Sequence, residues 1–166
     1  MFELKKLSPD AVDAALEKAH RYRLLNEPWH AESICRDILE VDAERQQALI
    51  MLILALTDQF GVAGTGAFED ARKLIPRLSG EYQQAYYEGI ICERRGKAHF
   101  ERGHPGAGSA AYEWYEKAME WFEKAEQIEP PGVADSTLRW NTCARMLMKH
   151  PTIRPAPAEE APQMLE

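Results

Sequence analysis

Five histidines and three cysteines are the side chains best able to do catalytic or metal-binding chemistry in this sequence. His99 and His104 lie five residues apart with a predicted break between them, which is not the i, i+4 spacing of a helical metal pair. Cys92 and His99 are about two helical turns apart, so ~10 Å along the axis would separate a nucleophile from its base. We therefore expect no catalytic residue, no metal ligand and no cofactor, and an enzyme that uses Cys92 and His99 is kept as an alternative.

The cysteines indicate the cellular compartment of the protein, and the overall charge indicates which ligands are disfavoured. Cys35, Cys92 and Cys143 are odd in number and lie 57 and 51 residues apart, a pattern typical of buried, reduced thiols and not of a disulfide framework. The 20 Lys and Arg against 27 Asp and Glu give a net charge of -7, which disfavours nucleic acid and anionic membranes. No apolar run approaches the ~18 residues of a membrane span. We expect a cytoplasmic protein.

Glycine and proline clusters divide the chain into seven predicted helices. Ser8 is a good N-cap for the first helix, and Pro76 predicts a kink or early fraying near Lys73 in the fourth. Enlarged loops are expected near residues 61–66 and 103–108, where glycines cluster. From Pro151 onward, four prolines and three glutamates predict a disordered tail, so the domain is expected to span residues 1–150 and the tail 151–166. The helices are predicted at about residues 8–25, 29–41, 44–60, 68–78, 81–101, 109–128 and 133–149.

Two stretches define how these helices pack. Residues 48–56 are nine apolar residues without a polar face, so the third helix should be covered on several sides and lie at the centre of the domain. In residues 118–130, Ala118, Phe122 and Ala125 return to one helical stripe, and Pro130 stops the helix. Small residues at both ends of the stripe allow a neighbouring helix to approach closely, and the phenylalanine fills the gap.

This stripe resembles the second helix of a tetratricopeptide (TPR) repeat, whose pattern ends in an alanine, an aromatic residue and a proline. The same spacing recurs more loosely over most of the chain. The resemblance implies an all-α, TPR-like α-α superhelix of three antiparallel helix pairs plus a C-terminal capping helix. In TPR proteins the first helices of successive pairs line a concave groove that takes an extended peptide or a partner helix. Carried onto this sequence, the groove positions are His20, Arg23, Gln47, Ile50, Leu54, Gln83, Tyr86, Ile90, Arg94, Asn141 and Arg145.

The resemblance implies a non-catalytic protein-protein interaction scaffold that binds a peptide or a partner helix. A small acidic secretion or assembly chaperone is the alternative within binding proteins. TPR domains that clamp the carboxylates of heat-shock proteins use lysines and asparagines on the groove helices, and predicted helices one, three and five contain no asparagine. The long hairpin of residues 82–128 offers a second binding surface or a contact for a homo-oligomer. An aromatic-rich surface is expected on its second helix, from Tyr112, Trp114, Tyr115, Trp121 and Phe122.

Overall fold

The computed structural model describes residues 1–157, and all of its regular secondary structure is helical, which confirms the all-α prediction. Short 3-10 turns at Pro9–Ala11 and Ile75–Arg77 accompany seven α-helices. None of the helices in this part of the chain has both the length and the apolar character needed to cross a membrane. The α-helices are α1 Val12–Leu24, α2 Pro28–Val41, α3 Gln46–Thr57, α4 Ala67–Leu74, α5 Glu81–Arg102, α6 Ala107–Glu126 and α7 Asp135–Lys149.

Each helix packs against the next one in the chain, and α3 in addition contacts both α1 and α5. The helices α1, α3 and α5 are therefore neighbours. The most extensive contact joins α5 and α6, which are also the two longest helices. Residues on α1, α3 and α5 that are far apart in sequence are brought to one side of the molecule by this arrangement.

The apolar helix α3 lies at the centre of the first core, as its sequence predicts. Leu49, Leu52, Ile53 and Leu56 are at most 2% exposed, and they pack with buried residues of α1, α2, α4 and α5. A helix that is apolar all round can be stable only when neighbours cover several of its sides. Because α3 is central, the residues that follow it also lie close to several other helices.

A second core fills the space among α5, α6 and α7. Ala118, Phe122 and Ala125 are fully buried, which confirms that they form one packed stripe. Phe122 lies against the backbone of Gly89 in α5, where a Cβ atom would come within 2.6 Å of Phe122 Cε1. The glycine is needed there because any side chain would overlap a buried ring.

The ends of two helices differ from the sequence predictions. The Ser8 side chain makes no capping hydrogen bond, and the chain enters α1 through the 3-10 turn Pro9–Ala11 instead. Of the two effects expected from Pro76, α4 shows the early end and not the kink: the α-helix stops at Leu74, next to Lys73, and Pro76 lies in the 3-10 turn Ile75–Arg77. Proline lacks the amide hydrogen that another α-helical turn would require.

The packed part of the chain extends beyond the predicted boundary at residue 150. Ile153 is 4% exposed and belongs to the second core, and its amide donates to the carbonyl of His150 at 2.9 Å. The carbonyl oxygen of Thr152 fills the space that a Cβ on Gly108 would need. The beginning of the predicted tail is therefore held against α6. Residues 158–166, the rest of that tail, lie outside the described residues.

Candidate functional site

Three hollows lie along the side of the molecule formed by α1, α3, α5 and α7. Their volumes are about 550, 470 and 470 Å³. Leu24 lines both the first and the second hollow, and Arg94, Lys97 and Glu101 line both the second and the third. Because adjacent hollows share lining residues, they lie in a row, and we call this row of hollows the groove.

The first hollow lies between α1 and α3 and is largely apolar. Its apolar side chains are those of Leu16, Leu24 and Met51. The polar and charged residues that line it are Glu17, His20, Arg21 and Gln47. Leu24 is 72% exposed, unusually high for a leucine in a helix that packs on two others. An exposed apolar side chain at the edge of a hollow becomes buried when a partner binds there.

In the middle hollow, the carboxylate of Asp58 is shared by two arginines from different helices. Arg23 of α1 donates from Nε to Asp58 Oδ2 at 2.6 Å and from Nη2 to Asp58 Oδ1 at 3.3 Å. Arg94 Nη1 of α5 lies 3.9 Å from the same Oδ1. Asp58 directly follows α3, so the ion pairs join the three neighbouring helices α1, α3 and α5. This cluster fixes the spacing of the groove helices at its centre.

The third hollow lies between α5 and α7 and combines apolar side chains with a positive rim. Phe100, Tyr115 and Met146 supply the apolar surface. Two of the charged residues that line it are acidic, Glu93 and Glu101. Five are basic: Arg94, Lys97, Arg139, Arg145 and Lys149. A protein of net charge -7 therefore presents a locally positive surface at this point.

The two acidic residues of the third hollow are already paired. Glu93 is 7% exposed and accepts from Arg139 Nη1 at 3.1 Å, and Glu101 lies 3.6 Å from Lys97 Nζ. Burial raises the pKa of Glu93, and Arg139 is the main group opposing that rise. Arg145 and Lys149 have no carboxylate within 4.0 Å among residues 1–157. Their charges remain available to an acidic ligand.

Five of the eleven predicted groove residues line these hollows. His20 and Gln47 lie in the first, Arg23 in the middle, Arg94 in the middle and third, and Arg145 in the third. The structure brings these five residues together along one side of the molecule.

The other six predicted residues do not line the groove. Ile90 is corrected to a core residue, since it is 1% exposed and packs in the second core where no ligand could reach it. Ile50 and Leu54 are half-buried and pack against the two cores. Tyr86 is half-buried beneath neighbouring aromatic rings and its pKa is raised, mainly by burial. Gln83 and Asn141 are half-buried outside the three hollows.

Sequence reasoning missed several residues that do line the groove. On α5 the stripe that lines the third hollow runs through Glu93, Lys97 and Phe100, steps of four and three residues, and lies beside the buried Ile90. That spacing is a helical signal that the sequence contains. No sequence pattern identifies Asp58 and Met146 as groove residues, because only the packing of α3 and α7 beside α5 places them there.

The alternative of a Cys92–His99 active site finds no support in the geometry. Cys92 is 3% exposed, and burial raises its pKa to about 12, so at neutral pH it is a thiol and not the nucleophilic thiolate. The His99 Nδ1 atom lies 3.4 Å from His104 Nε2, and no hydrogen bond joins His99 to Cys92 within the described chain. Among residues 1–157, no three His, Cys, Asp or Glu side chains converge on a possible metal position.

The aromatic residues of the long hairpin are mostly covered. Tyr115 and Phe122 are 3% and 0% exposed, and the other three are half-buried. The Lys117 ammonium lies 4.7 Å from the centroid of the Trp114 ring, so a cation covers part of that ring as well. Self-association through the hairpin stays a prediction.

Comparisons with protein-family models, with curated proteins and with solved structures find no match to this chain. The geometry and charge of the groove are therefore the basis on which a function can be assigned.

Proposed function

We propose that this protein is a non-catalytic interaction scaffold with a TPR-like α-α superhelix of three helix pairs and a capping helix. Its groove binds an extended peptide that carries acidic residues next to an apolar side chain. Three hollows in a row, apolar, charged and then apolar with a positive rim, are the observation on which the proposal rests.

The helix contacts support the repeat architecture. In a stack of helix hairpins, each first helix packs against the first helices of the pairs before and after it. α3 has this position between α1 and α5, and each second helix packs between the first helix of its own pair and that of the next. The alanines Ala31, Ala71 and Ala118 on the second helices are 2% exposed or less, which suits the close approach that such pairs need.

The charges support an acidic ligand. Arg145 and Lys149 lack carboxylate partners in the described chain, and Arg94 is held only loosely by Asp58 at 3.9 Å. An arginine can bind a carboxylate through two parallel hydrogen bonds, which gives direction as well as attraction. Phe100 and Met146 lie beside these cations and would cover an apolar side chain of the same peptide. The cations and the apolar side chains beside them thus both favour a peptide that contains acidic and apolar residues.

The three free cysteines support a cytoplasmic location as part of the proposal. All three are buried, and none forms a disulfide within residues 1–157. Reduced thiols persist in compartments kept reducing by glutathione and thioredoxin.

Selection from a random peptide library, with the purified protein as bait, tests the proposal. The wild type should enrich peptides rich in Asp and Glu that also contain an aromatic or aliphatic residue. The double variant Arg145→Glu, Lys149→Glu should lose those peptides. The double variant Arg36→Glu, Lys73→Glu reverses two exposed charges on α2 and α4, outside the groove, and should keep them. No enrichment by the wild type, or equal enrichment by both double variants, would overturn the proposal.

A further inference from the structure

A fourth hollow, separate from the groove, lies beneath the glycine-rich loop between α3 and α4. It has a volume of about 290 Å³ and shares no lining residue with the three groove hollows. Phe60 and residues 62–69 form one wall, and Arg95 and Arg102 of α5 form the other. Two arginines from a distant helix therefore face a loop whose backbone is exposed.

The two arginines lack the partners that such cations usually have. Neither Arg95 nor Arg102 has a carboxylate oxygen within 4.0 Å among residues 1–157. The Nε atom of Arg95 is buried and makes no hydrogen bond there, although its guanidinium lies only 4.5 Å from the centroid of the Phe68 ring. Arg102 donates one bond, from Nη2 to the carbonyl of Phe60 at 3.1 Å. A buried donor without an acceptor is costly, and an anion in the hollow would offset the charge of the Arg95 guanidinium, which has no carboxylate partner in the described chain.

Positive charge accumulates around this hollow without full compensation. Burial lowers the pKa of Arg95, and the charge of Arg102 lowers it further. The pKa of His99 is also lowered, first by burial and then by the charges of Arg95, His104 and Arg102. Glu69 also lines the hollow and is its one carboxylate, which partly offsets the two guanidinium charges.

The loop adds backbone donors to those of the arginines. Gly64 and Gly66 have φ values of 76° and 67°, in the region that glycine adopts without strain, so the loop turns tightly into α4. Thr65 Oγ1 accepts from the Ala67 amide at 3.3 Å, and the first helical bond of α4 is from the Asp70 amide to the Gly66 carbonyl. The amides of Phe68 and Glu69 therefore have no intrahelical acceptor.

We propose that this hollow binds the phosphate group of a small phosphorylated molecule. Two guanidinium groups on one side and helix amides on the other offer donors in several directions, which suits a tetrahedral oxyanion better than a planar carboxylate. The volume exceeds that of a single water-sized cavity and leaves space for the group attached to the phosphate. The site is unlike a nucleotide-binding P-loop, because arginines of α5 take the place of the loop lysine.

Titration with inorganic phosphate and with pyrophosphate, followed by calorimetry at low ionic strength, tests this inference. Arg95→Gln and Arg102→Gln should each weaken binding about tenfold or more, and Arg36→Gln on α2 should leave it unchanged. Glu69→Gln should tighten binding several-fold by removing the opposing charge. If Arg95→Gln fails to fold, Glu69→Gln and Arg102→Gln still test the inference. Tighter binding by Glu69→Gln cannot come from a misfolded protein, and Arg102 is exposed, so its substitution should not disturb folding.

Three results would overturn the inference. The first is equal phosphate affinity in the wild type, Arg102→Gln and Glu69→Gln. The second is no phosphate binding by the wild type. The third is succinate competing as well as phosphate, which would mean a carboxylate site. Because the hollow and the groove share no residues, Arg102→Gln should still select acidic peptides whatever the outcome at the phosphate site.

Discussion

The ring of Phe122 in α6 lies directly on the backbone of Gly89 in α5, so that a Cβ on residue 89 would be 2.6 Å from Phe122 Cε1. Phe122 is fully buried and cannot move aside without displacing its neighbours. This contact sets how closely the two longest helices approach. It therefore also affects the position of α5 beside α3 and α7, where two of the groove hollows lie.

We expect Gly89→Ala to destabilise the protein in spite of the better helix propensity of alanine. Overpacking costs about 1–3 kcal/mol and the better helix propensity of alanine contributes about 1 kcal/mol in the other direction, so the free energy of unfolding should fall by up to about 2 kcal/mol. Denaturant unfolding measures this. In a Phe122→Leu background the same substitution should become neutral or stabilising, and an equal loss in both backgrounds would show that the contact is not the cause.

Asp58→Asn tests the cluster at the centre of the groove. The substitution removes the charge that two arginines share, and we expect a loss of about 1–2 kcal/mol in the free energy of unfolding. Asp70→Asn is the matched control, because Asp70 also contacts two cations but its side chain is 43% exposed. That control should change stability by less than ~0.5 kcal/mol. Equal effects of both substitutions would contradict a structural role for the cluster.

Ile153→Ala tests whether the chain beyond residue 150 is packed. Ile153 is 4% exposed in the second core, and removal of a buried isoleucine side chain costs at least ~2 kcal/mol. Arg154→Ala changes the exposed neighbour and should alter stability by less than ~0.5 kcal/mol. If both variants unfold at the wild-type denaturant concentration, the segment contributes nothing and the domain ends at residue 150 as the sequence predicts.

The buried Cys35 thiol should make stability depend on pH in the alkaline range. Burial, with a smaller contribution from Glu32, raises the pKa of Cys35 to about 12, from an ordinary value of 9.0. Between these values the native state keeps a proton that the unfolded state has lost, so the free energy of unfolding falls as pH rises, by ~1.4 kcal/mol per pH unit for this thiol.

The comparison that checks this is between the wild type and Cys35→Ala. Unfolding by denaturant at several values between about pH 9.5 and 11 gives one slope for each protein. The slope for Cys35→Ala should be shallower by ~1.4 kcal/mol per pH unit. Other buried thiols and tyrosines affect both proteins equally. Parallel pH dependences would mean that Cys35 ionises as easily in the native state as in the unfolded one.

The sequence predicted the elements of this fold well because its signals are local. Glycine and proline clusters separate the seven helices, and the apolar run at residues 48–56 identifies the helix that its neighbours cover. The stripe through Phe122 likewise follows from helical spacing alone. The end of the packed chain was missed because Ile153 is buried by α6 and its neighbours, and the proline-rich composition around it contains no sign of that contact.

The groove could be predicted only in part, since it depends on contacts between distant residues. Arg23, Arg94 and Arg145, which the TPR register predicts as groove positions, line the hollows, whereas Ile90 from the same register is covered by α6 and α7. The same limit applies to the glycine-rich loop. Its arginine partners follow it by about thirty residues and meet it only after α5 packs against α4.

The most direct test of the proposed function is to locate a bound peptide on the protein. An acidic peptide enriched in the selection would be titrated into isotope-labelled protein, and the shifts of the backbone amide signals would be mapped by NMR. The account predicts that the largest shifts occur at Arg94, Lys97 and Arg145, in the second and third hollows. Shifts concentrated on α2 and α4, with these three amides unchanged, would contradict it.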